Sequence, residues 1–287
     1  MTRELNIEGS SHWEAPATDG TQWVSNTPTQ KDIKILIATH KQYRMPADDI
    51  YLPIHVGRAG KELNIGIQSD DIGYNISAKN PCFCELTALY WAWKNLQADY
   101  IGLAHYRRHF IIGRSSDKWD NILSREILER LLHKTDVVLP EKRNYYIETN
   151  YSHYIHGHER MGIDKAIDIL KRDYPDYAFF CDKVMKRTWA HMFNMFIMKK
   201  DKYDAYCAWI FDILFKLEKE IDISMWSAFE KRVYGRISEM FLDIWVERNK
   251  INYAEVPVAF MERQNWLHKG GMFLARKMGV VKRNERF

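Results

Sequence analysis

The chain has 287 residues, 46% of them apolar, 14% aromatic and 28% charged, which excludes disorder throughout and allows one large domain or two small ones. Lysine and arginine number 42 against 38 acids, and a formal charge of +4 makes no general case for a nucleic-acid partner. No apolar run reaches the roughly 18–20 residues that cross a bilayer; the most apolar, Tyr206 to Leu217, is broken by Asp212 and Lys216.

Residues 1–30 are rich in Ser, Thr, Gly, Asn and Pro, show no periodicity, and read as a disordered or appended tail with no apolar leader core. A β-branched run, Ile33 to Ala38, then predicts a buried parallel strand whose polar exit, Thr39-His40-Lys41, falls where α/β sheets place ligands. Asn80-Pro81 predicts a capped helix start, with Leu86, Leu89, Tyr90, Trp93 and Leu96 repeating at helical spacing. A second buried strand, Tyr100 to Ala104, runs into His105-Tyr106-Arg107-Arg108-His109. Ser124 opens a helix through Leu132, followed by a short strand from Val137 to Leu139 that stops at Pro140.

In the second half the pattern predicts a helix over 163–172, a strand over 194–198 and a long helix from Asp201 to Ile221. Ser227 and Glu230 have capping-box spacing before a helix through Val233, Ile237, Phe241 and Ile244. Strand–helix alternation without a Pro/Gly linker points to one α/β domain over about 31–265, with a mixed, mostly parallel sheet flanked by helices. The segment 266–287 is basic and interleaved with apolar residues, which suits a peripheral contact with anionic lipid as well as a solvated tail. The cysteines, Cys82, Cys84, Cys181 and Cys207, form no C-x-x-C pair and fit a reducing, cytoplasmic location.

No G-x-G-x-x-G, P-loop, G-x-S-x-G or H-E-x-x-H is present, which weakens nicotinamide, NTPase, serine-hydrolase and zincin readings. Polar clusters at strand exits and helix starts remain. The loop Asp70 to Asn80, with Asn75, Ser77, Lys79 and Asn80, feeds a helix N-terminus that suits a phosphate or serves as an ordinary capped loop. Arg107 and Arg108 offer guanidinium forks to a diphosphate, unless one of them pairs with a core-edge carboxylate such as Glu85. His153, His156 and His158 match no standard zinc spacing and read as a loop lining a polar cleft. Asn194 reads as a satisfied edge amide or a reader of a sugar hydroxyl, and Arg236, Glu239, Asp243 and Glu247 as one solvent-facing helical stripe. Tyr90, Trp91 and Trp93 belong to the core by spacing, whereas Tyr43, Trp226 and Tyr234, in or near loops, are candidates to stack on sugars.

The segments KILIATHK (34–41), DDIYLPIHVGRA (48–59), DDIGYNISAKNPCFCELTALYWAWKN (70–95), DYIGLAHYRRHF (99–110), FNMFIMKKDKYDAYCAWIFDILFKLEK (193–219) and DISMWSAFEKRVYGRISEMFLDIW (222–245) resemble a family of bacterial glycosyltransferases. The family occurs in capsular and exopolysaccharide gene clusters and was long known as a domain of unknown function. The resemblance runs from about residue 33 to residue 260. It implies a GT-A type nucleotide-binding domain that transfers a hexose, galactofuranose or galactose first, from a UDP-sugar to a lipid-linked oligosaccharide at the inner membrane face. GT-A enzymes commonly carry D-x-D after a central strand to hold Mn²⁺ or Mg²⁺. Here that strand ends in His105-Tyr106-Arg107-Arg108, a poor donor set for hard cations. The expectation is therefore metal-independent transfer without a cofactor.

On this reading Thr39, His40, Asn75, Ser77, Lys79 and Asn80 bind nucleotide and donor sugar, while Arg107 and Arg108, helped by His105, neutralise the leaving diphosphate. Glu239, with Asp222 next, deprotonates the acceptor if transfer inverts the anomeric centre. His156, Asn194, Trp226 and Tyr234 are the acceptor-side candidates. A non-catalytic, carbohydrate-binding polysaccharide-assembly protein is the alternative, and no motif supports a nucleic-acid partner.

Overall fold

The structure, a computed structural model, describes residues 30–262, and the compact unit begins at Lys31. Its strands in chain order are β1 (Ile33–Thr39), β2 (Tyr51–His55), β3 (Gln68–Ser69), β4 (Tyr100–His105), β5 (Arg108–Phe110), β6 (Val137–Pro140), β7 (Arg143–Asn144), β8 (Trp189–Ala190), β9 (Phe196–Lys199), β10 (Tyr253–Val256) and β11 (Val258–Phe260). The helices are α1 (Asn80–Phe83), α2 (Leu86–Asn95), α3 (Arg125–Leu132), α4 (Asn150–Gly157), α5 (Arg160–Asp173), α6 (Ala178–Lys186), α7 (Lys200–Glu220) and α8 (Val233–Arg248).

The main sheet runs β10-β6-β9-β4-β1-β2-β3, with β5 and β11 attached beyond β4. Four of its ladders are parallel, β3 to β2, β2 to β1, β1 to β4 and β6 to β10, and β9 runs antiparallel between β4 and β6. This is the mixed, mostly parallel sheet of a GT-A-like α/β fold.

Alternation along β1 explains the layering. Ile33, Ile35 and Ile37 join Tyr51, Tyr100, Ala104, Leu128 and Leu132 on the α3 side, whereas Leu36 and Ala38 join Phe83, Leu89, Ile210, Leu214 and Phe241 on the other. Because both faces are covered, the strand reads as a continuous apolar run. Gly102 of β4 lets β9 approach, since a Cβ there would lie 2.9 Å from the Phe196 carbonyl oxygen.

Several elements differ from the sequence expectation. The helix predicted over 80–96 is two helices, broken at Cys84, whose φ of 53° no helix accommodates. Asn80 does not cap the start: its Nδ2 donates to the Cys84 carbonyl (2.8 Å) and ties off the end of α1. The 194–198 strand starts only at Phe196, because Phe193 and Asn194 both have positive φ, 79° and 53°. At Ser227 half of the capping box forms: its hydroxyl accepts from the Glu230 N–H, but the Glu230 carboxylate turns to Arg236 and the Glu159 N–H. The α8 stripe is not a solvent face, since Asp243 is buried and Arg236, Glu239 and Glu247 are half-buried. His153 and His156 lie on helix α4, begun by a Thr149–Ser152 capping box, and not on a loop. All four cysteines are free thiols. No helix among the described residues is long and apolar enough to cross a membrane. The boundary at 265, the basic segment 266–287 and the tail 1–29 lie outside the described residues.

Candidate active site

Strands β1, β2 and β4 run parallel and end at one edge of the sheet, where the chain leaves them at His40, Val56 and His105. The α1–α2 junction covers this edge. Between them lies a cleft of about 280 Å³, lined among others by His40, Asn80, Glu85, His105, Arg107 and Arg232. A carboxyl-edge crevice is where α/β sheets bind ligands.

Each wall has a local cause. Beyond β4, Tyr106 and Arg107 turn the chain into β5, so that His105 faces Arg108 across an antiparallel bridge. The Arg107 N–H donates to His105 Nδ1 (3.2 Å), which leaves the ring proton on Nε2. Burial, with Arg108 and Arg107 beside it, pushes the His105 pKa down to about 2. The ring is neutral here, and its Nε2–H can donate one hydrogen bond to a phosphate oxygen. His40 is likewise lowered, by burial and then by Lys41 and Arg107, and its ring stands edge-on to Tyr106 at 5.4 Å.

The positive charge that faces the cleft belongs to Arg107 and Arg232. The Arg107 side chain is 40% exposed and touches Glu262 only at 3.4 Å. Arg232 reaches Cys84 Sγ through Nε at 3.1 Å; burial pushes that thiol up to about 11, so it is no thiolate. Arg108 points elsewhere: its guanidinium stands over the rings of Phe193 (4.6 Å) and Phe260 (5.3 Å), and its buried Nε has no hydrogen-bond partner among the described residues.

One carboxylate completes the cleft wall, and a second lies behind it. Glu85 follows the strained Cys84 and sits at the start of α2, in the cleft wall. Asn194 Nδ2 donates to Glu85 Oε1 (2.8 Å) and to the Gly235 carbonyl (2.9 Å), clamping Glu85 to α8. Glu239 stands behind this wall and does not line the cleft. Burial and then the Glu85 charge push its pKa up to about 7, against the opposing pull of Arg108 and the Phe193 N–H. Helix α8 packs closely on the junction at Gly235, whose Cβ position would lie in van der Waals contact with Cys84, 3.4 Å away.

The structure thus brings together His40, Asn80, His105 and Arg107 and adds Glu85 and Arg232. The other sequence candidates lie elsewhere. Thr39 is buried and its hydroxyl is held by the Lys41 carbonyl at 2.7 Å. Asn75 closes its own loop through the Ser77 N–H and the Gly73 carbonyl. Ser77 is buried, donating to Asp70 Oδ1 at 2.5 Å. Lys79 pairs with Glu218 at 2.6 Å. Asp222 is exposed and accepts from the Ser224 N–H. His156 binds Glu148 at 2.7 Å, and Trp226 packs on the core. Tyr234 is not in a loop: it is buried in the first turn of α8 and stacks on Phe83 with ring centroids 4.6 Å apart.

Residues Glu85 and Arg232 carried no sequence signal as cleft walls, because the break at Cys84 that turns Glu85 inward interrupts an otherwise regular helical period. A second cleft, of about 350 Å³, opens at the amino ends of β6 and β10 around Asp136, Lys202 and Asn252, remote from these groups in the sheet. Among the described residues no group of three or more His, Cys, Asp or Glu side chains is placed to hold a metal ion.

Fold and cleft define an α/β protein of GT-A-like build with a cationic crevice at the carboxyl edge of its parallel strands. A family model described as a domain of unknown function (DUF4422) matches residues 34–250, and the chain belongs to that family. It is similar to the apo structure of the bifunctional glycosyltransferase WbbM, with 32% identity and a TM-score of 0.75. The match covers 81% of this chain and 46% of that one, so the chain spans under half the length of that protein. No curated protein matches.

Proposed function

We propose that the chain is a glycosyltransferase that moves a hexosyl group from a UDP-sugar to an oligosaccharide acceptor, with the diphosphate held in the cleft by Arg107 and Arg232. The observation that supports this most is the pairing of half-exposed guanidinium groups with a carboxylate at one carboxyl-edge crevice, in a chain similar to a bifunctional glycosyltransferase. As the glycosidic bond to the leaving diphosphate breaks, negative charge grows on the β-phosphate. Two fixed guanidinium groups and the Nε2–H of a neutral His105 stabilise that charge without rearranging. Galactofuranose or galactose as the sugar, and a lipid-linked acceptor in capsule, exopolysaccharide or O-antigen synthesis, rest on the sequence resemblance.

The donor set of this cleft does not suit a hard divalent cation. Where D-x-D would stand after β4, the chain places an imidazole, a phenol and a guanidinium, and Glu85 is the single carboxylate among the cleft-lining residues. Neutralisation by arginine accordingly replaces the metal in this reading. Peripheral attachment through segment 266–287 belongs to the same reading and is tested by sedimentation with anionic vesicles.

The experiment for the activity is UDP release from a panel of UDP-sugars with a lipid-linked oligosaccharide acceptor. Acceptor-dependent UDP release from one of them supports the transferase, and UDP binding without any turnover favours a non-catalytic carbohydrate-binding protein.

A further inference from the structure

We infer that Glu85, and not Glu239, is the carboxylate that takes the proton from the acceptor hydroxyl. This deepens the transferase reading above and rests on it.

Position carries the argument. Glu85 lines the same cleft as Arg107, Arg232 and His105, so a sugar whose diphosphate lies on the arginines has its anomeric carbon within the volume that Glu85 borders. Glu239 lies behind that wall, where the Phe193 N–H and Arg108 occupy its surroundings. A general base must reach the proton it removes, and geometry takes precedence over basicity.

Three features hold Glu85 for this task. Cys84, with φ 53° and ψ −131°, sets the preceding peptide in a conformation that a non-glycine residue adopts at a cost, and such strain persists where the surrounding structure enforces it. Asn194, itself at φ 53° and buried, spends its amide N–H groups on Glu85 and on the Gly235 carbonyl, so one Glu85 oxygen is fixed and the other is left for a substrate. Arg232, bonded to the Cys84 sulfur one residue away, draws a diphosphate toward the same wall.

The step balances as an inverting displacement. The acceptor O–H bond breaks and its proton passes to the second oxygen of Glu85. The acceptor oxygen forms a bond to the anomeric carbon as the bond from that carbon to the β-phosphate oxygen breaks, and the electron pair leaves with UDP. Glu239 takes no proton in this step.

The test uses the full chain with Glu85→Gln, Glu85→Asp and Glu239→Gln, read by UDP titration calorimetry and by acceptor-dependent UDP release. Glu85→Gln is expected to bind UDP as tightly as the wild type or more tightly, because a negative charge beside the diphosphate is gone, while kcat falls at least about a hundredfold. Glu85→Asp, which keeps the carboxylate but draws it back, is expected to retain more turnover than the glutamine variant. Glu239→Gln is expected to lose tenfold or less. UDP affinity verifies that each variant keeps its cleft. A Glu85→Gln enzyme that binds UDP and keeps a third or more of the wild-type kcat overturns the assignment, as does a product with retained anomeric configuration. A wild-type chain that neither binds UDP nor releases it from any UDP-sugar overturns the transferase reading, and the assignment falls with it.

Discussion

Glu239 and Asp243 stand one turn apart on the same face of α8, and their surroundings are opposite in kind. Asp243 is fully partnered: Oδ2 accepts the His191 N–H at 3.0 Å and Oδ1 meets His191 Nδ1 at 2.5 Å, with both side chains 1% exposed. The far nitrogen of His191 reaches Glu255 at 3.4 Å, and Glu255 pairs with Lys142 at 2.7 Å. Glu239 instead shares its neighbourhood with a second carboxylate and a guanidinium that is itself short of a partner. Buried polar groups are normally hydrogen-bonded, and among these neighbours the Arg108 Nε is not. One end of the stripe therefore ties β8 and β10 to α8, while the other faces the back of the cleft.

The contrast is broken most severely at its satisfied end. Asp243→Ala leaves the buried His191 N–H and ring Nδ1 without their acceptor, and urea unfolding should show a loss of about 3–5 kcal/mol. At the other end, Glu239→Gln should stabilise the protein at alkaline pH. The folded pKa of about 7 lies above the ordinary value of 4.5, so the native state holds the extra proton between those values. Its contribution is complete below pH 4.5 and is lost as pH rises through 7. The variant should therefore match the wild type near pH 4.5 and exceed it at pH 8 by roughly 3 kcal/mol, from about 1.4 kcal/mol for each pKa unit. An unchanged pH–stability curve would place Glu239 in water.

Smaller effects sharpen the cleft itself. If UDP binds as proposed, Arg107→Ala removes a charged contact to the diphosphate and should weaken UDP binding by about 1.5–3 kcal/mol, roughly ten- to a hundredfold in Kd, with little change in Tm. Lys79→Ala breaks a half-exposed ion pair with Glu218 and should cost no more than about 1 kcal/mol of stability while leaving UDP affinity alone. A large loss of UDP affinity in the lysine variant would return the phosphate to the 70–80 loop, where the sequence pattern first suggested it.

That loop shows where sequence reading succeeds and where it stops. The apolar runs of β1 and β4 were legible because burial on both sheet faces leaves an uninterrupted signal, while helical spacing placed α7 and most of α8. The strand exits His40 and His105–Arg107 followed from the topology of parallel sheets. The α1–α2 break did not, because left-handed φ at a cysteine has no compositional mark. Asn75, Ser77 and Lys79 looked like ligand donors, but the buried Asp70, the loop backbone and Glu218 use them up. Periodicity could assign Arg236 and Glu239 to one face of a helix, but whether that face meets water depends on α1, α2 and the 191–194 turn, which lie far away in the chain.

In the proposed function, arginine side chains hold the diphosphate in place of a coordinated cation. UDP titration calorimetry on the wild type, Arg107→Ala and Arg232→Ala, each with chelator and with Mn²⁺, tests it most directly. The account predicts wild-type binding that is the same with and without the metal and that weakens at least tenfold in each arginine variant. Binding that vanishes with chelator, returns with Mn²⁺ and is indifferent to both arginines would contradict it.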